Sequence, residues 1–315
     1  MKKPIVVLTG PTAVGKTELS IQLAKVIGGE IISADSMQVY KHMDVGSAKI
    51  TPEEMDGVRH YLVDELEPFD EFHVVKFQEY AQKYLNEIYA HEKIPIIAGG
   101  TGFYIQALLN DIDFTEQESD SAYRKELEAL AEEHGNQYLH DRLKEVDPES
   151  AEAIHPNNRK RVIRALEFFQ ETGGKISEHN AKEQMRTSPY NFAYFVLNDE
   201  RSHLYKRINA RVDKMIEDGL EAEVRRLKEM GCTKDMVAMQ GIGYKEMLSY
   251  LDGGYSLEEA VYIIKRETRH FAKRQITWFK RERDVIWLNK NEFNYKNEAI
   301  LAYMIKILKE KAIIS

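Results

Sequence analysis

Short apolar runs alternate with longer amphipathic segments along most of the chain, a pattern typical of strands and helices in turn. Five apolar runs predict β-strands at Pro4–Thr9, Glu30–Ala34, Ile94–Ala98, Phe192–Leu197 and Val285–Leu288. Apolar residues that recur every three or four positions predict helices at Thr17–Ile27, Val74–His91 and Gly102–Leu109. This alternation predicts a parallel sheet with helices on both faces, in which ligands bind at the carboxyl ends of the strands.

The alternation stops between residues 112 and 190, where the sequence is charged and has no strand-like run. Helical periodicity there predicts helices at Tyr123–His134, Gln137–Val146 and Asn158–Thr172, with polar connections at 111–121 and 173–189. We therefore predict a helical insertion domain at 112–190 within an α/β core formed by 1–111 and 191–315. The second part of that core is predicted to contain helices at Arg201–Asp218, Leu220–Met230, Ser256–Arg283 and Lys296–Lys311.

A phosphate-binding loop follows the first predicted strand. Its residues, Gly10, Pro11, Thr12, Ala13, Val14, Gly15, Lys16 and Thr17, match the pattern G-x-x-x-x-G-K-[ST] between a predicted strand and a predicted helix. The glycines let backbone amides turn towards an anion, and the helix dipole favours negative charge there. Lys16 would neutralise the outer phosphates, and the Thr17 hydroxyl would reach Mg²⁺. The motif predicts a P-loop NTPase-like fold without distinguishing ATP, GTP or another diphosphate.

Composition limits the class of protein. The 315 residues carry a formal net charge of −8 and include one cysteine, Cys232. A single cysteine excludes an intramolecular disulfide and a cysteine-based zinc site, and it fits a reducing compartment. No apolar run approaches the ~20 residues that a membrane span requires. We therefore expect a cytoplasmic protein that does not interact with membranes.

Polar residues follow two further predicted strands. Asp35 would emerge beside the phosphate loop, as a ligand for Mg²⁺ or as a general base, and a structural cap of the next helix is the alternative. The Gln38 amide could recognise an adenine edge, although its spacing fits a structural role equally well. Gly99 and Gly100 permit a ligand to approach the backbone, and Thr101 offers a hydroxyl at the same strand end. A tight structural turn is the alternative for this glycine segment.

Basic residues are segregated in this acidic chain. Lys265–Arg283 holds eight Lys or Arg residues against two Glu residues, and a second group contains Arg159, Lys160, Arg161 and Arg164. These helix faces could contact RNA backbone or be solvated only. Arg207 and Arg211 share one helix face, where two guanidinium groups suit a diphosphate or could pair with neighbouring acids.

Taken in order, seven segments of the chain resemble the tRNA dimethylallyltransferase family, the bacterial-type isopentenyl-tRNA transferases. They are Gly10–Thr17, Ser33–Tyr40, Ala98–Tyr104, His155–Glu167, the helix with Arg207 and Arg211, Gly241–Glu246 and Lys273–Arg281. The resemblance covers nearly the whole chain and implies a phosphate-loop α/β core with a helical insertion. It also implies transfer of a dimethylallyl group from dimethylallyl diphosphate to N6 of the adenosine 3′-adjacent to the anticodon of tRNA. That adenosine would be flipped out of its stack.

The resemblance further implies a role for each site residue. The phosphate loop with Lys16, Mg²⁺ on Thr17 and Arg211 would bind the diphosphate, and Asp35 would accept the N6 proton. Implied tRNA contacts are Asp35, Ser36, Met37, Gln38, Thr101, Arg124, Lys160, Arg161, Val162, Ile163, Arg164, Gln240, Gly241, Ile242, Gly243, Tyr244, Lys245, Lys273, Arg274, Gln275, Ile276, Thr277, Trp278, Phe279 and Lys280. Eukaryotic members carry a C-terminal zinc finger, which one cysteine cannot form, so we expect a bacterial-type enzyme. We also expect this enzyme to be a monomer.

Two other interpretations stay open from sequence. A small-molecule or nucleoside kinase shares the phosphate loop and the α/β sheet, but it has no need of the basic stripe at Lys265–Arg283. A non-catalytic RNA-binding protein with a nucleotide switch would tolerate Asp35→Ala and would lose its function when Lys273 and Arg274 are changed.

Overall fold

The computed structural model describes residues 2–112 and 122–314. In this described part, six parallel strands form one sheet in the order β3-β2-β4-β1-β5-β6. They are β1 (Lys3–Thr9), β2 (Gly29–Ala34), β3 (His60–Tyr61), β4 (Ile94–Gly99), β5 (Tyr190–Asn198) and β6 (Val285–Asn289). The five longer strands lie within two residues of their predicted bounds. The two-residue β3 is too short to show a periodic pattern, so the sequence did not predict it.

Helices connect the strands and form the insertion. They are α1 (Lys16–Ile27), α2 (Pro52–Met55), α3 (Val74–Ala90), α4 (Gly102–Leu109), α5 (Ala122–His134), α6 (Asn136–Val146), α7 (Pro148–Ala153), α8 (Arg159–Thr172), α9 (Ile176–Met185), α10 (Arg201–Glu217), α11 (Leu220–Glu229), α12 (Tyr244–Leu251), α13 (Leu257–Phe279) and α14 (Asn297–Glu310). Two short 3₁₀ turns lie at Ala238–Gln240 and Lys290–Phe293. Among the described residues, no helix has the length and apolar character that crossing a bilayer needs.

Alternate residues of each strand enter two separate apolar cores. Ile5 and Val7 of β1 pack on one face with α3, α4, α11 and α12, whereas Val6 and Leu8 pack on the other with α1 and α14. Burial on both faces is why the strands are continuous apolar runs rather than alternating ones. The predicted parallel sheet with helices on both faces is confirmed.

Two compact units divide the chain: Met1–Leu109 with Pro189–Ser315, and Asn110–Ser188. The second unit contains α5 to α9, with a core of its own formed by Leu127, Leu139, Leu143, Val162 and Leu166. Of the predicted connection at 111–121, residues 113–121 lie outside the described residues.

The predicted polar connection at 173–189 is wrong, because it contains α9. Polar contacts hold this helix where periodicity gives little signal. Ser177 donates from its backbone N–H and its hydroxyl to the buried Asp147 carboxylate, at 3.0 and 2.7 Å. Asp147 also caps the short α7 by accepting from the Ser150 N–H.

Two element bounds near the predicted tRNA contacts also need correction. In Gln240–Glu246, the glycines next to Tyr244 and Lys245 predict a loop that contacts a ligand or a backbone phosphate, but α12 begins at Tyr244. The Glu246 carboxylate accepts the Gly243 N–H at 2.8 Å and caps that helix. Helix α13 ends at Phe279, four residues before its predicted end, so Arg281 and Arg283 lie beyond it.

Candidate active site at the phosphate loop

Three neighbouring strands end in one row of the sheet. Thr9 of β1 pairs with Gly99 of β4, which in turn pairs with Ala34 of β2. The residues that follow these three strand ends are Gly10, Gly100 and Asp35. Because parallel strands point the same way, the phosphate loop, the glycine turn and the Asp35 segment leave the sheet at a common edge. The predicted placement of these segments is confirmed.

The phosphate loop has the backbone that its glycines allow. Gly10 and Gly15 adopt φ angles of +146° and +101°. A Cβ atom on Gly10 would lie 2.2 Å from the Leu197 carbonyl oxygen, so no other residue fits there. The Lys16 ammonium crosses the loop and donates to the carbonyl oxygens of Gly10 and Pro11, at 3.0 and 2.9 Å.

The charges around Lys16 favour a bound anion. Burial and, to a smaller extent, the Arg211 charge lower the pKa of Lys16 to about 8, and the Asp35 charge opposes both. Desolvation also lowers the pKa of Arg211, and the neighbouring Arg207 acts in the same direction. Cations that depress each other's pKa gain most from a negative ligand placed between them.

The two arginines of α10 have different positions. Arg207 donates from Nε to the Ala13 carbonyl oxygen at 2.7 Å, so it holds the backbone of the phosphate loop. The Arg211 charge instead lowers the pKa of Lys16, and the Asp35 charge acts to raise the pKa of Arg211. Arg211 is therefore the better candidate for direct diphosphate contact, and Arg207 for support of the loop.

Lys290 is a candidate site residue that the sequence motifs did not indicate. Its buried ammonium donates to the Val14 carbonyl oxygen at 3.3 Å, beside the contact that Arg207 makes. Burial and the Arg207 charge lower the pKa of Lys290. A cleft of about 410 Å³ opens here, lined by Asp199, His203, Lys206, Arg207, Lys290 and Tyr295. Lys290 directly follows β6, so the rule that parallel strands carry ligands at their carboxyl ends could have found it.

Asp35 begins a tight turn rather than capping a helix. Its Oδ1 accepts the Met37 N–H at 2.9 Å and the Gln38 N–H at 3.4 Å. These bonds fix the carboxylate through one oxygen only. The Gln38 amide donates to the Ala48 carbonyl oxygen at 3.3 Å, so part of its hydrogen-bonding capacity is used within this segment.

A buried carboxylate organises the rest of this segment. Glu223 of α11 accepts the backbone N–H groups of Asp44, Val45 and Gly46 at 2.8, 2.8 and 3.0 Å. Tyr244 donates its hydroxyl to the same carboxylate at 2.8 Å. A Cβ atom on Gly46 would lie 2.5 Å from the Tyr244 ring, so the tyrosine packs directly on the loop backbone.

Burial divides the implied tRNA contacts. The buried side chains are those of Val162, Ile163, Tyr244, Gln275 and Phe279. The exposed side chains are those of Lys160, Arg161, Gln240, Lys245, Lys273, Arg274, Thr277 and Lys280. The buried residues occupy the inner faces of their helices, and a tRNA contact by any of them stays a prediction. Asp35, Ser36, Met37, Gln38, Thr101, Arg164, Gly241, Ile242, Ile276 and Trp278 are partly exposed, whereas Gly243 is buried.

Arg124 is held in an ion pair within the helical unit. Its guanidinium donates from Nε and a terminal nitrogen to the two oxygens of buried Glu167, at 2.9 and 2.6 Å. Such a bidentate pair fixes the plane of the arginine and stabilises the contact between α5 and α8. Any contact of Arg124 with tRNA would have to be made by the rest of this guanidinium.

No group of three or more His, Cys, Asp or Glu side chains that could hold a metal ion occurs among the described residues. Mg²⁺ does not need such a group of side chains, because it commonly binds through one or two protein oxygens together with substrate phosphates and waters. The exposed Thr17 at the start of α1 has a hydroxyl of the right type. The donor set therefore fits Mg²⁺ that arrives with a diphosphate.

The sheet, the loop and the polar strand ends define a phosphate-loop α/β protein. The model of the IPP transferase family matches residues 38–282, and the chain belongs to this family. The chain is 64% identical over 312 residues to the tRNA dimethylallyltransferase of Lachnoclostridium phytofermentans, covering 99% of both sequences.

Solved structures show the same similarity. The full-length tRNA isopentenylpyrophosphate transferase from Bacillus halodurans is 45% identical with a TM-score of 0.74, over 99% of this chain and 98% of that one. A eukaryotic dimethylallyltransferase acting on tRNA is 31% identical with a TM-score of 0.79, over 91% of this chain and 74% of that one. Both agree with the α/β fold described above.

Proposed function

We propose that this protein transfers a dimethylallyl group from dimethylallyl diphosphate to N6 of the adenosine 3′-adjacent to the anticodon of tRNA. The observation that carries the proposal is the strand register, which brings the phosphate loop and Asp35 to one edge of the sheet. The names of the relatives at 64% and 45% identity support the same reaction. A kinase is not favoured by either comparison.

The leaving diphosphate accounts for the cationic side of the site. The amides of the phosphate loop, Lys16 and Arg211 would stabilise the charge that develops as the allylic carbon–oxygen bond breaks. Mg²⁺, held by the Thr17 hydroxyl and diphosphate oxygens, would neutralise part of this charge. The loop amides, Lys16 and Arg211 belong to the folded chain before the bond breaks, so little reorganisation of the protein would be needed.

Asp35 accounts for the other half of the reaction. As the adenosine N6 forms its bond to the allylic carbon, it must lose one proton, and the Asp35 carboxylate would accept it. The turn that fixes Asp35 through Oδ1 leaves Oδ2 to take this proton. All these groups come from one chain, so the proposal requires only a monomer.

Transfer of labelled dimethylallyl diphosphate to unmodified tRNA in the presence of Mg²⁺ tests the proposal. We expect label in tRNA with the wild-type protein, and a loss of about 10²–10⁴-fold for Asp35→Ala, the range that general bases contribute. The tRNA affinity of Asp35→Ala should stay near the wild-type value. ATP turnover without label in tRNA would contradict the proposal and favour a kinase.

A further inference from the structure

One buried amide connects helix α13 to both glycine turns of the site. The Oε1 atom of Gln275 accepts the Thr12 N–H of the phosphate loop at 2.8 Å. Its Nε2 donates to the Gly100 carbonyl oxygen, between β4 and α4, at 2.9 Å. The residue is 6% exposed, so water does not compete for these bonds.

The fit around this amide is close on both sides. A Cβ atom on Gly100 would lie 2.3 Å from Gln275 Nε2 and 3.7 Å from the Gly10 carbonyl oxygen. The two glycine turns therefore approach each other at this point, and the amide fills the space between them. A side chain with one acceptor and one donor at its end satisfies both backbones, and neither a carboxylate nor an apolar group does so.

We propose that Gln275 is a positioning residue that fixes the spacing between the phosphate loop and the Gly100–Thr101 turn. The inference rests on the proposed function, in which the loop binds the diphosphate and the neighbouring strand ends meet the adenosine. Gln275 differs in this from Lys273 and Arg274, which are exposed on the same helix. Its substitution is expected to change diphosphate binding and turnover, while tRNA affinity is retained.

Two substitutions and one control test this role. Gln275→Met keeps the length of the side chain but removes both hydrogen bonds. Gln275→Glu keeps an acceptor for the Thr12 N–H but places a second oxygen against the Gly100 carbonyl. Tyr262→Phe, at an exposed position of the same helix that is outside the implied tRNA contacts, is the matched control.

The first measurement is titration of each folded variant with inorganic diphosphate and Mg²⁺, without tRNA. We expect about tenfold weaker binding for Gln275→Met and Gln275→Glu, since a buried backbone group loses its partner in each. Tyr262→Phe should bind within twofold of wild type. In the transfer assay, kcat should fall by about 10²-fold for misplaced reacting groups, with KM for tRNA unchanged.

The pH dependence separates positioning from simple loss of packing. In Gln275→Glu, the introduced carboxyl group would present one donor and one acceptor when protonated, as the amide does, and burial favours that form. Diphosphate binding by Gln275→Glu, relative to wild type, should therefore recover as the pH falls from 8 to 5.5. Gln275→Met should show no recovery.

Gly100→Ala provides an independent perturbation, because its methyl group displaces the Gln275 amide. Its effect on diphosphate binding should be largely non-additive with that of Gln275→Met. Diphosphate affinity within twofold of wild type in both Gln275 variants would overturn the inference. Loss of tRNA affinity with diphosphate affinity retained would overturn it as well, and would make Gln275 part of the tRNA-binding machinery. Because diphosphate titration needs no transfer, its result is distinct from failure of the proposed reaction in the wild-type protein.

Discussion

At the scale of single residues, Lys16 should make diphosphate binding depend on pH. Its pKa of about 8 means that it is charged below this value and loses its proton above it in the ligand-free protein. Only the charged form attracts the diphosphate, so affinity should fall as the pH rises from 7 to 9.5. We would measure binding of inorganic diphosphate with Mg²⁺ across this range for the wild type and Lys16→Met.

Ionisation of diphosphate itself is common to both proteins, so the difference between the two profiles isolates Lys16. The wild-type advantage should be largest below pH 8 and should shrink above it. Parallel profiles over the whole range would show that another group controls the pH dependence.

Lys290 should support the phosphate loop from its outer side. Peptide groups are planar and trans, so a carbonyl held by Lys290 at Val14 turns the next N–H in the opposite direction, into the loop. We expect Lys290→Met to weaken diphosphate binding by about tenfold, the cost of a charged hydrogen bond. Titration with diphosphate checks this value. Lys206→Met, a lysine of the same cleft without a hydrogen bond to the loop among the described residues, should stay within twofold.

At the scale of elements, the Glu223 contacts predict how the segment after Asp35 is held. In Glu223→Gln an NH₂ group faces backbone N–H donors, because three amides and the Tyr244 hydroxyl converge on the two carboxylate oxygens. We expect a loss of about 2–4 kcal/mol in the free energy of unfolding, measured in urea. Hydrogen exchange should accelerate at Asp44, Val45 and Gly46 before the strands are affected.

Glu221→Gln on the same helix is the control. Its carboxylate pairs with Arg225 one turn away at 2.7 Å, in a partly exposed position, so its removal should cost no more than about 0.5 kcal/mol. Equal destabilisation by the two variants would contradict a special role for the buried carboxylate.

Prediction from sequence succeeded where burial is regular. Strands β1, β4 and β5 are buried on both faces and appear as uninterrupted apolar runs. Helix α9 was not predicted because polar contacts with Asp147 stabilise it. Helix α12 was not predicted because its cap involves a glycine rather than Ser, Thr, Asp or Asn. Such elements depend on partners distant in sequence, which local periodicity does not reveal.

At the scale of the whole molecule, local sequence patterns locate the motifs but not the residues that hold the motifs in position. The segments with Lys16, Asp35 and Thr101 could be placed at one edge of the sheet from the sequence, since each follows a predicted parallel strand. Gln275 and Lys290 could not be assigned their contacts, because these join residues separated by 263 and 276 positions. The family resemblance implies that Gln275 contacts tRNA. Only the structure shows that its buried amide bonds to the backbone of Thr12 and Gly100.

The segregated positive charge of helix α13 should make tRNA affinity depend on salt. The chain carries a net charge of −8, yet Lys273, Arg274 and Lys280 are exposed on α13 and its end. Each cation that neutralises an RNA phosphate releases counterions, so the logarithm of tRNA affinity should fall linearly with the logarithm of salt concentration.

Changing Lys273, Arg274 and Lys280 to Gln should make that slope shallower by about 2 and weaken tRNA binding, with diphosphate affinity unchanged. Filter binding between 50 and 300 mM salt, about the range over which such slopes are resolved, measures the effect. Lys306→Gln with Lys309→Gln, exposed on α14, removes two positive charges elsewhere and should leave the slope as it is. An equal change of slope in both proteins would show that overall charge, rather than contact at α13, controls binding.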